Sequence, residues 1–145
     1  MATSIPTIFV LYRARKFLDR RRRDDISLII TGGLRISPDF AKALAMGADA
    51  VEIGNSAMMA RGCQQYHVCH LNTCPVGITT HDPELRARLN IDESAKRLEN
   101  FLKVSTEELR DFARLTGIDG VHRLSTYDLR TTNIGIAAHT DIKYV

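Results

Sequence analysis

The stretch "ISLIITGGLRISPDFAKALAMGADAVEIGNSA", residues 26–57, decides the fold class. Residues 26–31, "ISLIIT", form a short apolar run rich in β-branched side chains, without polar alternation, which predicts a strand covered on both faces. Ser37 and Pro38 then supply a cap and a first-turn residue for a helix over "PDFAKALAM", and Gly47 is placed to stop it. A second strand follows at "DAVEI", residues 49–53. Strand, helix and strand together take about 28 residues, the length of one βαβ unit. Such a unit requires a parallel pair with a right-handed crossover.

Two glycine turns close these strands. Gly32 and Gly33 follow the first, and Gly54 and Asn55 follow the second. In a parallel α/β architecture both turns fall at the carboxyl edge of the sheet, side by side, where ligands bind. Glycine admits close backbone approach, and each turn leads into a helix whose free N–H groups favour an anion. Paired turns of this kind form the phosphate site of (β/α)8 barrels. A mononucleotide phosphate is therefore expected here, against the plainer reading that the glycines only permit tight turns.

Working outward, "SIPTIFVLYRARKFLDRR" predicts a helix with Ser4 as cap, Pro6 in its first turn and Ile8, Leu11, Tyr12, Ala14 and Leu18 on its apolar side. "NSAMMARG" is again helical in pattern. Farther on, Asp82, Pro83 and Glu84 cap "PELRARL". "DESAKRLENFL" places Ala95, Leu98, Phe101 and Leu102 on one face. A separate helix is expected in "STEELRDFARLTG", with a capping box of Ser105 and Glu108, an apolar face of Leu109, Phe112 and Leu115, and a stop at Gly117. "STYDL" predicts one more short helix capped by Ser125, and the last dozen residues carry no assignable pattern. No internal repeat is present.

All three cysteines lie in "CQQYHVCHLNTCP", residues 63–75, spaced C-x5-C-x4-C with a proline after the last. Clustered thiols without an even-numbered framework point to metal rather than to a secreted disulfide scaffold. Five and four intervening residues let a wrapped loop bring Cys63, Cys69 and Cys74 onto one inorganic core, whereas a regular helix would scatter them. Three thiolates suit a three-iron cluster, or a four-iron cluster with one corner not held by cysteine. Zinc held by two or three of these cysteines with His67 or His70 is the competing reading, and the absence of metal the third. His81, His122 and His139 are assigned no role. Glu52, Asn72 and Arg35 stand near the proposed site by sequence, with structural roles as fitting as functional ones.

Composition narrows the partners. The chain has 145 residues, 44% hydrophobic and 26% charged, with a net charge of +3. The basic run Arg20–Arg23 is flanked by Asp19, Asp24 and Asp25, four positive against three negative, so its local sum is +1. That is a solvated turn rather than a nucleic-acid patch. No apolar run approaches the roughly 20 residues of a membrane span, and no leader is apparent. A cytoplasmic protein without nucleic-acid or membrane partners is expected.

The stretch "LIITGGLRISPDFAKALAMGADAVEIGNSAMMARGCQQYHVCHLNTCPVGITTHDPELRARL" resembles the FMN- and iron–sulfur-binding synthase domain of glutamate synthase and its relatives, over about residues 4–130. "CHLNTCPVGI" with "DPELR" shortly after it carries most of the specificity. The resemblance implies a [3Fe-4S] cluster on Cys63, Cys69 and Cys74, and an FMN phosphate near Gly32, Gly33, Gly54 and Asn55. It implies an oxidoreductase in which electrons pass from ferredoxin or an NAD(P)H-oxidising subunit through the cluster to FMN. The product is L-glutamate, made from 2-oxoglutarate and ammonia, while a relative acting on another amine, such as an N-methylglutamate-forming synthase, stays open.

By the same resemblance the two strands are the last two of an eight-stranded TIM-type (β/α)8 barrel. The expected division is a partial barrel segment with phosphate-binding turns over 1–62, an iron–sulfur loop over 63–82, and a helical segment with a tail over 83–145. Six strands, the amidotransferase domain and the β-helix domain have no counterpart here, as in the shorter type of relative. Two strands with open edges are a poor independent fold. The rest of the barrel, other subunits or an oligomer is expected to complete it, and the alternative is a non-catalytic electron-transfer or assembly module.

Overall fold

The computed structural model describes residues 5–145, so the Ser4 cap lies outside the described residues. They divide into two compact units, one formed by residues up to Ile53 together with Thr106–Val145 and the other by Gly54–Ser105.

In the first unit, α1 (Thr7–Arg20) begins after Pro6, which occupies the N-cap position in place of the first turn and offers no side-chain cap. Strands β1 (Ile29–Ile30) and β2 (Ala50–Val51) pair in parallel, Ile29 opposite Ala50 and Ile30 opposite Val51, with α2 (Ser37–Ala45) between them in sequence. The strand–helix–strand order and the parallel pairing agree with the sequence pattern. Coverage of the first strand on both faces does not. Ile30 is buried but Ile29 is 61% exposed, because β1 and β2 form a two-stranded sheet and the described chain supplies no layer over that side.

The start of α2 also differs from expectation. Ile36 takes the N-cap position, and the cap is made by Asp39, whose Oδ2 accepts from the N–H groups of Arg35 and Ile36 at 3.1 and 3.4 Å. Ser37, inside the helix, instead donates its hydroxyl to Glu108. The helix ends at Gly47, whose φ of +94° suits glycine, with Ala48 N–H bonding back to Ala43 O.

Helix α2 is buried on two sides. Ala43 and Met46 pack with Leu11 of α1, Ile30, Ala48 and Ile142. Ala41 and Ala45 pack with Leu124, joined by Leu109 and Phe112. Alanine at these positions lets neighbouring elements come close to the helix axis, and burial of the larger partners supplies the stabilisation, about 25 cal/mol per Å2 of apolar surface.

The second unit begins with α3 (Asn55–Ala60) and includes α4 (Pro83–Arg86). Asp82 caps α4 as expected, accepting from the N–H groups of Glu84 and Leu85, but the helix spans only one turn. Then α5 (Ile91–Leu115) runs 25 residues without a break. The two helices expected here are one, because no Gly or Pro separates Leu102 from Ser105 and the backbone ladder continues through them. Ser105 is a buried mid-helix residue, and Leu115 is 82% exposed rather than part of the packed face. Gly117, with φ +76°, stops the helix as expected.

Ser125 caps as expected, and the structure adds Asp128, whose carboxylate accepts from Ser125 N–H at 2.8 Å, around a 3-10 turn over Thr126–Asp128. The tail is more ordered than its composition indicated. Strands β3 (Arg130–Thr131) and β4 (Lys143–Tyr144) pair in parallel around α6 (Ile134–His139), which Asn133 caps.

Candidate metal centre

Helix α3 ends in a glycine C-cap. Gly62 has φ +107°, its N–H bonds to Met59 O, and Cys63 N–H bonds to Met58 O, so Cys63 leaves the helix in a fixed direction. Three non-glycine residues that follow, Gln65, His67 and Asn72, adopt left-handed backbone with φ of 56–60°. Each reverses the chain locally, and each costs on the order of 1 kcal/mol that the surrounding contacts offset. Cys63 Sγ accepts from Gln65 N–H at 3.4 Å. Cys69 opens a 3-10 turn over Cys69–Leu71 and is exposed, whereas Cys74 is 7% exposed.

The loop closes through Asn72. Its side-chain oxygen accepts from His81 N–H at 2.6 Å, and its carbonyl accepts from the Thr80 hydroxyl at 2.7 Å. Asn72 thus has the structural role of pinning the two arms of the loop. Pro75 and Gly77 form a turn in which Gly77 N–H bonds to Cys74 O at 3.1 Å. Gly77 has φ +76°, and a Cβ there would lie 2.4 Å from Leu85 O, so only glycine lets α4 approach the loop this closely.

The three cysteines line one recess with Met58, Tyr66 and Thr79. Its volume is about 20 Å3, the room of a single water. Burial pushes the Cys74 thiol up, but the N–H groups of Thr79, Ile78 and Val76 directed at its sulfur outweigh burial and bring it down to about 7. The Thr79 hydroxyl acts in the same direction by proximity rather than through a formed bond, since its Oγ1 is buried without a hydrogen-bond partner of ordinary geometry. Thr79 and the amides after the third cysteine escaped the sequence reading. The usable signal was the Pro-Val-Gly turn, which folds the following N–H groups back toward Cys74.

Among the described residues, no three His, Cys, Asp or Glu side chains gather about a single metal ion. The tetrahedral set of the zinc alternative, with His67 or His70, is therefore not formed. A cluster makes a different demand, because each thiolate binds a separate iron and the sulfurs stand farther apart. The donor set suits such a core: three thiols on one recess, one stabilised as thiolate by amides, and a buried hydroxyl still to be satisfied.

The glycine turns are built differently from each other. Gly32 and Gly33 have φ of +112° and +76°, and Thr7 donates its hydroxyl to Gly32 O at 3.0 Å. They border a cavity of about 290 Å3 lined also by Leu11, Leu34, Lys42 and Met46. Gly54 has no left-handed backbone and open space around it, and it precedes Asn55 at the start of α3. Arg35 contributes its backbone N–H to the α2 cap, and Glu52 its N–H to Ile30 O at 2.8 Å.

Residues 2–119 match the family defined by the conserved region in glutamate synthase. The chain belongs to the glutamate synthase family. It is 40% identical over 114 residues to the archaeal glutamate synthase [NADPH] of Methanocaldococcus jannaschii, covering 79% of this chain and 22% of that one. To the archaeal glutamate synthase [NADPH] of Archaeoglobus fulgidus it is 41% identical over 112 residues, 74% of this chain and 22% of the relative. A glutamate synthase large subunit-like protein of Rhizobium meliloti is 38% identical over 133 residues, 81% of this chain and 30% of the relative. The chain therefore spans less than a third of the length of these relatives. Among the described residues, no helix is long and apolar enough to cross a membrane.

Proposed function

We propose that this chain is the cluster-bearing C-terminal portion of a glutamate-synthase-type oxidoreductase, working in the cytoplasm. The convergence of Cys63, Cys69 and Cys74 on one recess carries this reading. These residues would hold a [3Fe-4S] cluster, which moves single electrons that FMN converts into a hydride for the reductive formation of L-glutamate from 2-oxoglutarate and ammonia. The part of the chain's own residues is to bind and to orient. Cys74 is kept ready for metal by the amides of Val76, Ile78 and Thr79, and Asn72 and Gly77 hold the loop's arms. The recess is smaller than such a core, and Cys69 lies on its exposed side.

Gly32 and Gly33 after β1, and Gly54 and Asn55 at the start of α3, are assigned to the FMN phosphate on the strength of the family. The family likewise supports a (β/α)8 barrel completed by segments or subunits outside these residues. NADPH in the names of the relatives supports an NADPH-linked donor, with ferredoxin as the other source of electrons. Anaerobic measurement of iron, sulfide and flavin per chain tests the proposal. About three irons and one FMN are expected; metal-free protein under those conditions would overturn it. The exposed Ile29 beside an unfilled sheet edge favours a second reading, a module that keeps the cluster without its own flavin, which iron without FMN would establish.

A further inference from the structure

A second cavity, of about 290 Å3, lies in the 54–105 unit behind the cysteine loop, with Gln64, Val76 and Ile78 in the wall that the two cavities share. Its lining is predominantly polar and includes three guanidinium groups, those of Arg61, Arg88 and Arg97, against one carboxylate, that of Glu93. Three positive charges and one negative leave a local sum of +2. Glu93 is committed to Arg97 at 2.5 Å, and Arg88 donates to Pro75 O at 3.3 Å. The half-buried Arg61 has no partner for its guanidinium among the described residues. Ser94 adds an independent observation. The residue is 7% exposed and lines the cavity, so its hydroxyl is within reach of a group bound there.

Like charges around one concave wall repel, and their guanidinium forks match the paired oxygens of a carboxylate or phosphate. A solvated basic face on a convex surface would need no such concavity. The volume is near the lower end of ligand pockets, roughly 300 Å3, which suits a small metabolite rather than a nucleotide. We propose that this cleft binds a small oxyanion, with Arg61 and Arg97 gripping its charged oxygens and Ser94 donating a hydrogen bond to one of them. The site does not depend on the cluster or on the synthase reading, and iron-free protein is sufficient to test it.

Calorimetric titration of the full chain at low ionic strength, with inorganic phosphate and succinate as separate probes, reads the site directly. Saturable binding of one molecule per chain is expected. Arg61→Gln or Arg97→Gln weakens it about tenfold, the loss of one charge-assisted hydrogen bond, and Ser94→Ala weakens it by a smaller factor while leaving the helix intact. Arg86→Gln, which removes a charge outside the cleft, leaves the affinity unchanged. Binding of phosphate alone identifies a phosphoryl group as the ligand chemistry, of succinate alone a carboxylate, and of both a general oxyanion site. No saturable binding of either probe would overturn the proposal, as would equal losses in the Arg86 and Arg61 variants, which would reduce it to diffuse attraction between charges.

Discussion

The βαβ segment and the cysteine loop are stabilised in opposite ways. Between β1 and β2 the chain follows its local pattern, and α2 is secured by many interchangeable apolar contacts, with Leu11, Ile30, Ala43 and Met46 in one cluster. From Cys63 to Thr80 there is little apolar burial to rely on. Order comes from single, irreplaceable devices: a glycine against a carbonyl, an asparagine across two arms, and left-handed residues that reverse the chain. Distributed packing fails gradually, whereas point contacts fail one at a time and locally.

The largest test of this contrast lies in the packed region. Leu11, 2% exposed, is the most buried member of its cluster; Leu11→Ala is expected to cost about 3 kcal/mol by urea denaturation. It should leave the alkylation rate of Cys74 in the native state unchanged. Gly77→Ala inverts the pattern. Left-handed strain and the clash with Leu85 O amount to about 2 kcal/mol, confined to the loop. Its readout is faster modification of Cys74 with helicity retained, and global unfolding without that local signature would break the contrast.

Asn72→Ala removes the bond from His81 N–H and a side chain suited to φ +60°, for about 1 kcal/mol and a smaller rise in Cys74 reactivity. The smallest effect concerns Asp141, whose carboxyl lies below its ordinary range because Lys16 and then Tyr12 hydrogen-bond to it. A lowered folded pKa contributes stability that is complete above the unfolded value, near 4, and is lost as pH falls through the lowered value. The pair is about half exposed, so Asp141→Asn should cost a few tenths of a kcal/mol at neutral pH. The difference between the two proteins should vanish in acid, which a pH series of melting curves would show.

Local chemistry was legible wherever a signal acts within one turn. Gly47 and Gly117 stop their helices, and Asp82 and Ser125 cap theirs, because each device needs only its immediate neighbours. Ser37 misled for the same reason. As a lone hydroxyl before Pro38 it carries the marks of a cap, but Asp39 competes for those amides and Glu108, distant in sequence, takes the hydroxyl. Likewise nothing in "KVST" reveals whether a helix pauses there, and the parallel pairing of β3 with β4 joins residues too far apart for any periodicity to register.

The amino-acid order by itself determined the strand–helix–strand order of residues 26–57, the cysteine spacing and the family, since those reside in short-range patterns and in identities at fixed separations. Only the tertiary structure decided that α5 is one helix, that Ile29 faces outward, and that Cys63, Cys69 and Cys74 border one recess of about 20 Å3 beside an unsatisfied Thr79. Those outcomes depend on which distant groups meet, and such meetings are settled by packing and hydrogen-bond competition across the whole chain.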